Sequence, residues 1–253
     1  MTTVETKLAE SLSSSSTELI PFLPYLLQDL YELGSSPHDM LQIIQKHLPN
    51  PQKLKVLDLA CGKGAVSIGL ANSLKCQVKG IDLMPDFIEV AKSVAVREHI
   101  EAYCQFEVGD INQSIHIEKD YDLVIYGAVG TVLNSPEETL YKLSKTLKKG
   151  GYVLLDDGYS LIEPNPPYLT RDAWLAVIQN AGYGVVAEIL SDETFEGVLD
   201  EQIQMISKRV FELCHQYPNQ RDLFLDYLKN QETEVEMLTT ELKGVTLLLK
   251  KQN

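Results

Sequence analysis

The sequence predicts an α/β fold, a doubly wound and mostly parallel seven-stranded sheet with helices on both faces. Short apolar segments typical of buried strands alternate with amphipathic helical patterns through most of the chain. The stretch VLDLACGKGAVS, Val56–Ser67, adds a glycine-rich bend between the first strand and the next helix. In such folds the carboxyl ends of the parallel strands form one rim of the sheet, where ligands bind.

Two helices are predicted ahead of the first strand. They cover residues 21–34, where leucines recur at helical spacing, and Pro37–His47. Residues 1–17 are polar and serine-rich, and we expect a mobile tail there. These segments form a predicted N-terminal unit of tail and cap helices, residues 1–50, and the remaining residues 51–253 form the main domain.

The alternation of strands and helices begins after this unit. Strands are predicted over residues 53–60, 77–83, 102–110, 121–128 and 152–157. Helices are predicted over residues 63–74, 86–98 and 136–149. The last of these helices begins at a capping box, Ser135-Pro136-Glu137-Glu138, and ends with Lys148 and Lys149, cations that suit a helix C-terminus.

The C-terminal third departs from this rhythm. A helix is predicted from Thr170 to Ala181, and a sixth strand over residues 183–190. Two long amphipathic helices then form an insertion over about residues 192–242, and a last strand covers residues 244–250. The apolar stripes of the inserted helices could cover a ligand site or form a homodimer interface.

Length and charge limit the class of partner. With 253 residues, the chain can form one large α/β domain or two small ones. Its 22 basic and 36 acidic residues give a formal net charge of −14, which repels phosphate backbones. We therefore expect no DNA partner, and a small metabolite or a protein suits this surface better.

The cysteines and the N-terminal residues bear on compartment. Cys61, Cys76, Cys104 and Cys214 have neither zinc-site nor CxxC spacing, so we expect no metal and reduced thiols in a cytoplasmic protein. Met1–Ser16 lacks the apolar core of a secretory signal. The chain has no apolar run of about 18 residues, the length that a membrane-spanning helix needs, so we expect no membrane partner.

The glycine-rich bend does not fit two common phosphate-binding loops. The GxxxxGK[ST] loop needs a different spacing from that of Gly62-Lys63-Gly64. The GxGxxG fingerprint of dinucleotide-binding proteins needs a third glycine, and Ser67 stands at that position. The bend differs from both in having an acidic residue, Asp58, at the end of the preceding strand.

The stretch VLDLACGKG resembles the first motif of class I S-adenosylmethionine-dependent methyltransferases. Four further stretches match the family in order: GIDLMPDFIEVA, VGDI, YDLVIYGAVGTVL and LKKGGYVLLDDGY. The matches span about residues 54–157. The resemblance implies a Rossmann-like methyltransferase fold with S-adenosyl-L-methionine as cofactor and S-adenosyl-L-homocysteine as product.

The resemblance assigns the bend to the methionine part of the cofactor. Gly62 and Gly64 would leave room for it against the turn. Ala60 stands where many relatives have glycine and is small enough for that position. Asp58 would orient the bend and attract the cofactor's ammonium group, although it could instead cap the helix that follows.

The next two strand ends are assigned to the nucleoside. Asp82 would accept both ribose hydroxyls, and Leu83 and Met84 would line the adenine. Asp110 would accept the adenine amino group, and the N–H of Ile111 would donate to a ring nitrogen. Asp82 and Asp110 could each be turn residues, but carboxylates at the ends of consecutive strands favour the cofactor interpretation.

The methyl acceptor is expected over the ends of the fourth and fifth strands. Tyr126 and Gly127 would border the sulfonium. Asp157 and Tyr159 are the candidate catalytic residues, through contact with the acceptor. Asp156 and Asp157 are adjacent, so strand alternation sends them to opposite faces, and both could instead be solvated.

Within the family, the resemblance is to the small-molecule branch related to ubiquinone and menaquinone biosynthesis. It implies in-line transfer of a methyl group to a small-molecule acceptor. A methyltransferase for a tRNA nucleoside or a protein, and a non-catalytic S-adenosylmethionine-binding protein, remain alternatives. A nicotinamide-dependent oxidoreductase is a fourth hypothesis, because Asp82 suits either ribose. The NPPY sequence at residues 165–168 follows the fifth strand rather than the fourth, which predicts a turn.

Overall fold

The computed structural model describes residues 3–162, 166–191 and 194–252, with only the backbone described for residues 194–196. Its strands are β1 (Lys55–Leu59), β2 (Gln77–Asp82), β3 (Cys104–Val108), β4 (Tyr121–Gly127), β5 (Leu147–Ser160), β6 (Tyr183–Leu190) and β7 (Leu242–Lys251). Its helices are α1 (Val4–Ser11), α2 (Leu23–Leu26), α3 (Pro37–His47), α4 (Ala65–Leu74), α5 (Pro85–Arg97), α6 (Ile111–Ile117), α7 (Pro136–Ser144), α8 (Arg171–Asn180), α9 (Thr194–Gln216) and α10 (Arg221–Thr240).

The strands form one sheet in the order β3-β2-β1-β4-β5-β7-β6. β7 runs antiparallel to both β5 and β6, and the pairs among β1 to β5 are parallel. The predicted fold class is therefore confirmed. The chain winds from β1 outward to β3 and then returns to β4 on the other side of β1, so the crevice at the switch point opens beside the end of β1.

The central strands are apolar because both faces of the sheet are covered by helices. In β1 every residue after Lys55 is buried, as expected for a parallel strand between two helical layers. One face packs on α3, α4 and α5, and the other packs on α7 and α8. The single polar residue in the buried part of β1 is Asp58, at the edge where the crevice opens.

The prediction of a mobile tail over residues 1–17 is wrong for residues 3–17, while residues 1 and 2 lie outside the described structure. Residues Val4–Ser11 form α1, whose first turn is capped by Thr3 accepting from the Thr6 N–H at 3.1 Å. Ala9 is buried against the rest of the protein. A helix this short is marginal by itself, so α1 depends on tertiary contacts that a local pattern does not reveal.

The single helix predicted over residues 21–34 is also shorter in the structure. A 3₁₀ turn, Thr17–Phe22, leads into α2, which is only one turn long. Pro21 lies inside the 3₁₀ turn and Pro24 lies in the first turn of α2, and neither has an N–H to donate. The helix Pro37–His47, in contrast, is confirmed with the predicted bounds.

Two differences concern the regions around β3 and β5. α7 ends at Ser144, so Lys148 and Lys149 belong to β5, where Leu147 pairs with Tyr121 and Lys148 binds Asp122 at 2.8 Å. The short helix α6 was not predicted. It begins at Asp110, whose side chain accepts from the Asn112 N–H at 2.9 Å.

A third layer of the protein lies outside the sheet. We call it the helical layer, and it comprises residues 19–30 with α9 and α10, which share one buried apolar cluster with Met84 and Phe87 after β2. Arg209 on α9 binds both carboxylate oxygens of Asp29, at 2.6 and 2.8 Å. Residues 19–30 are therefore core, and they tie the N-terminal segment to the helix pair.

Within the described residues, none of the helices has the combination of length and apolar character that crossing a bilayer requires.

The helical layer provides a stability test. Phe224 on α10 is 0% exposed, whereas Phe211 on α9 is 56% exposed. Replacing a buried Phe by Ala removes apolar contacts and leaves a cavity, so Phe224→Ala is expected to lower the free energy of unfolding by about 3–5 kcal/mol. Phe211→Ala is the matched control and should change it by less than about 1 kcal/mol. Urea unfolding monitored by circular dichroism measures both, and equal effects would contradict the packing described above.

Candidate functional site

A cleft opens at the carboxyl ends of β1, β2 and β4, where the order of the strands reverses. It contains about 990 Å³ of empty space, part of which is open to solvent. The residues predicted to hold a cofactor that line this cleft are Asp58, Ala60, Gly62, Asp82, Leu83, Asp110, Ile111 and Gly127. The fold thus brings together side chains that lie up to 69 positions apart in the chain.

The glycine-rich bend has the tight backbone that its sequence predicts. Gly62 and Gly64 have φ angles of 53° and 78°, in the left-handed region that favours glycine. A Cβ on Gly64 would lie 2.9 Å from Ala91 Cβ and 3.0 Å from Phe106 Cζ, so this glycine lets the bend pack against α5 and β3. Gly64 therefore supports the cleft from behind, whereas Gly62 lines it.

Asp82 links the end of β2 to the bend. Its Oδ2 accepts from the Gly62 N–H and its Oδ1 accepts from the Met84 N–H, each at 2.8 Å. Burial raises the pKa of this carboxyl, and the backbone N–H groups partly offset that effect. An ionised carboxylate offers about four acceptor sites, so two remain for the hydroxyl groups of a ligand.

Asp58 is the second buried carboxylate of the cleft. Its Oδ2 accepts from the Ser67 hydroxyl at 2.6 Å, so it holds the first turn of α4. Burial, with a smaller contribution from the nearby charge of Asp82, raises the pKa of Asp58 to about 6, although the hydrogen bonds from Ser67 act in the opposite direction. A positively charged ligand at this point would stabilise the ionised carboxylate.

Asp110 both caps α6 and lines the cleft. Its Oδ1 accepts from the Asn112 N–H at 2.9 Å and from the Asn112 side-chain amide at 3.1 Å. The cap orients the carboxyl group and places the N–H of Ile111 at the cleft edge. Leu83 and Met84 provide the apolar part of the same end of the cleft.

Tyr126 and Gly127 have separate positions at the end of β4. Tyr126 is not among the residues that line the cleft, and its hydroxyl donates to Gly130 O at 2.9 Å and accepts from the Leu133 N–H at 3.3 Å. It therefore holds the loop that follows β4. Gly127 lines the cleft, and a Cβ there would collide with the Ser35 hydroxyl oxygen.

Asp157 and Tyr159, the predicted catalytic residues, do not line the cleft. The Tyr159 hydroxyl donates to Glu188 at 3.1 Å, and Glu188 in turn binds Arg171 at 2.8 Å. Asp157 accepts from the Gly158 N–H at 2.7 Å, and burial raises its pKa to about 6. Their contact with an acceptor stays a prediction, without support from this geometry.

Asp156 faces a different neighbourhood from Asp157. Burial raises its pKa to about 7, while the Ser36 N–H and the Ser35 hydroxyl lower it and the charges of Asp157 and Asp39 raise it. Ser35 is 9% exposed and lines the cleft. In the described part of the chain its hydroxyl has no hydrogen bond of proper geometry, although it lies close enough to Asp156 to lower the pKa of that carboxyl. A buried hydroxyl without a partner marks a candidate ligand contact.

Helix α1 forms a wall of the cleft that the sequence did not predict. Its residues Val4, Lys7, Leu8 and Ser11 line the cleft, together with Leu12 directly after it. The Lys7 ammonium donates to Val132 O and to Asn134 Oδ1, both at 2.8 Å, so α1 is joined to the loop after β4. A lysine that binds a distant backbone oxygen has no local sequence signal.

The family of the chain follows from a comparison of its sequence with family models. A model described as a methyltransferase domain matches residues 50–182. The chain belongs to this methyltransferase-domain family. The matched part of the methyltransferase domain runs from β1 through α8 and includes Asp58, Asp82 and Asp110, while α1 and the helical layer lie outside it. Methyltransferases of this kind use S-adenosylmethionine as the methyl donor.

Curated relatives match about half of the chain. A malonyl-[acyl-carrier protein] O-methyltransferase of Priestia megaterium is 31% identical over 121 residues, which cover 47% of this chain and 42% of that protein. A 27-O-demethylrifamycin SV methyltransferase of Amycolatopsis mediterranei is 27% identical over 141 residues, covering 55% of this chain and 50% of that protein. The chain thus spans about half the length of these curated relatives.

Among solved structures, a methyltransferase from Geobacter sulfurreducens shares the fold. It is described as S-adenosylmethionine-dependent and was crystallised with S-adenosyl-L-homocysteine. The two superpose with a TM-score of 0.76 over 92% of this chain and 98% of that chain, at 17% sequence identity. The similarity therefore includes the helices outside the sheet as well as the sheet itself.

The burial of Asp58 predicts how stability depends on pH. Its pKa is about 6 in the folded protein against 3.8 ordinarily, so the folded state holds this proton more tightly. The free energy of unfolding therefore falls as the pH rises from about 4 to about 6, a loss of about 3 kcal/mol in all from this group.

We expect Asp58→Asn to raise the free energy of unfolding by about 1–3 kcal/mol at pH near 7.5 and to have little effect at pH near 4. Urea unfolding at both pH values measures the difference, with the exposed Asp86→Asn as control. A gain that persists unchanged at low pH would contradict this interpretation.

Proposed function

We propose that this protein is an S-adenosylmethionine-dependent methyltransferase that methylates a small-molecule acceptor. The observation that carries the proposal is the presence of three carboxylates, Asp58, Asp82 and Asp110, at the ends of β1, β2 and β3 around one cleft. A sulfonium donor that also has an ammonium group and an adenosine presents the positive charge and the hydrogen-bond donors that these carboxylates accept.

The residues of the cleft fit this donor. Gly62 has no side chain to obstruct the methionine part, and Asp58 provides a negative charge for the ammonium group. Asp82 keeps two acceptor sites for ribose hydroxyls, and Asp110 with the Ile111 N–H suits the adenine edge. When bound, the donor supplies an activated methyl group and its own leaving group.

The remaining task of the protein is to align the acceptor and to exclude water. Alignment of two reactants can lower a barrier by about 7–11 kcal/mol. We call residues 31–35 the acceptor wall, because Tyr31, Leu33 and Ser35 line the cleft and Ser35 packs directly beside Gly127 at the end of β4. The acceptor would lie against this wall in the open part of the cleft, and α1 would shield it from solvent.

A small acceptor suits the cleft better than a macromolecule. Helix α1 crosses the cleft, and the acceptor end has apolar walls with the Ser35 hydroxyl as a polar contact. The relative from Amycolatopsis mediterranei is named for a rifamycin acceptor, which supports this class. The net charge of −14 disfavours nucleic acids, although a tRNA nucleoside or a protein acceptor remains the alternative that substrate tests must distinguish.

We also propose a cytoplasmic location. Cys61, Cys76, Cys104 and Cys214 are free thiols in the described structure, as expected in a reducing compartment. A homodimer stays an untested prediction.

Calorimetry with S-adenosylmethionine, S-adenosylhomocysteine and NAD tests the donor. We expect the two sulfur compounds to bind and NAD not to bind. Asp82→Ala removes two hydrogen bonds to an ionised group and should weaken S-adenosylhomocysteine at least about 100-fold. The exposed Asp86→Ala on α5 is the control and should bind as the wild type does. Binding of NAD alone would replace the proposal with a dehydrogenase.

A screen of metabolite extracts with a labelled methyl donor identifies the acceptor, and Asp82→Ala reveals labelling that does not depend on the enzyme. With that acceptor, we expect Ser35→Ala to lower kcat/KM about five- to tenfold, the loss of one buried hydrogen bond, without changing S-adenosylhomocysteine affinity. The exposed Ser93→Ala on α5 is the control. Labelling of tRNA or protein but of no small molecule would favour the alternative acceptors.

A further inference from the structure

Lys63 is a buried cation in the glycine-rich bend, which we call the donor bend from here on. Its position in the bend does not by itself explain its role. It stands between Gly62 and Gly64, and it is 4% exposed. Burial lowers the pKa of Lys63 to about 8. Burying an ammonium group is costly unless its N–H groups find acceptors, so its partners indicate what it does.

The ammonium group of Lys63 donates to two backbone carbonyls near the end of residues 19–30, which we call the cap segment. The ammonium donates to Leu27 O and to Leu30 O, each at 2.5 Å. Leu27 O also accepts from the Leu30 N–H at 3.0 Å in the turn that follows α2, and Leu30 directly precedes the acceptor wall. The two bonds from Lys63 thus fix the end of the cap segment next to the bend.

A second contact joins the same two regions. A Cβ on Gly62 would lie only 3.2 Å from Leu33 Cδ1, so the bend and the acceptor wall pack directly against each other. On its other side the cap segment is held by Arg209, which binds Asp29, and by the Tyr25 hydroxyl, which donates to Glu212 at 2.6 Å. The donor bend, the acceptor wall and α9 therefore form one connected unit with Lys63 at its centre.

We infer that Lys63 is a positioning residue that couples occupation of the donor bend to the placement of the acceptor wall. This inference rests on the proposed function, because it takes the bend to hold the donor. A ligand that orders Gly62 and Gly64 also orders Lys63 between them, and through the two carbonyls it orders residues 27–35. The acceptor would then meet its wall in place only when the donor is bound.

Hydrogen exchange of the full chain with S-adenosylhomocysteine as probe tests the coupling. In the wild type we expect the probe to slow amide exchange at the donor site, around Gly62 and Asp82, and about tenfold at residues 26–35, the size of one hydrogen bond to a charged group. In Lys63→Met the slowing at residues 26–35 should be lost while the slowing at the donor site remains. Lys92→Met on α5 is the control, since Lys92 is exposed and binds Glu89 on the same helix.

Two outcomes would overturn the inference alone. The first is that the probe slows amide exchange at residues 26–35 equally in Lys63→Met and in the wild type. The second is that the probe slows exchange in the wild type only at the donor site. The second outcome needs no variant, so the inference is testable even if Lys63→Met does not fold. Absence of slowing anywhere in the wild type would overturn the proposed function and the inference together.

Discussion

The structure depends on the burial of negative charge at the point where the strand order reverses. Asp58 and Asp82 end neighbouring strands and are both buried, which raises the pKa of each carboxyl. Backbone N–H groups of Gly62 and Met84 and the hydroxyl of Ser67 partly stabilise these carboxylates. These contacts do not fully compensate for the lost hydration of the carboxylates. A bound cation would reduce the remaining unfavourable energy, so binding of a positively charged ligand here would be favoured.

The same constraint explains the shape of the bend. Asp82 can accept from the Gly62 N–H only if the chain turns back sharply after β1, and the left-handed φ angles of the bend provide that turn. Gly64 must pack against Ala91 and Phe106 for the turn to close, which leaves no room for a side chain. The hydrogen bond from Gly62 to Asp82 therefore depends on how closely Gly64 packs against Ala91 and Phe106.

The parts outside the methyltransferase domain have a different task. The matched domain contains the carboxylates and the bend, whereas α1 and the helical layer lie beyond its limits. These outer parts provide Lys7, which joins α1 to the loop after β4, and residues 19–30, which join the helix pair to the acceptor wall. Function on a shared fold is decided by such additions, so we propose that this layer selects the acceptor.

The sequence by itself determined the fold class, and it predicted the strand-end carboxylates Asp58, Asp82 and Asp110, which the fold brings to one cleft. It could do so because a glycine bend and carboxylates after apolar strands are local patterns, and parallel strands bring their ends to one rim. Only the tertiary structure decided what else lines that cleft. It formed α1 where a tail was expected, left Asp157 and Tyr159 out of the cleft lining, and included Ser35 and Lys63 in it. Those contacts join residues far apart in the chain, and their energy comes from packing and from distant hydrogen bonds that no short stretch of sequence reveals.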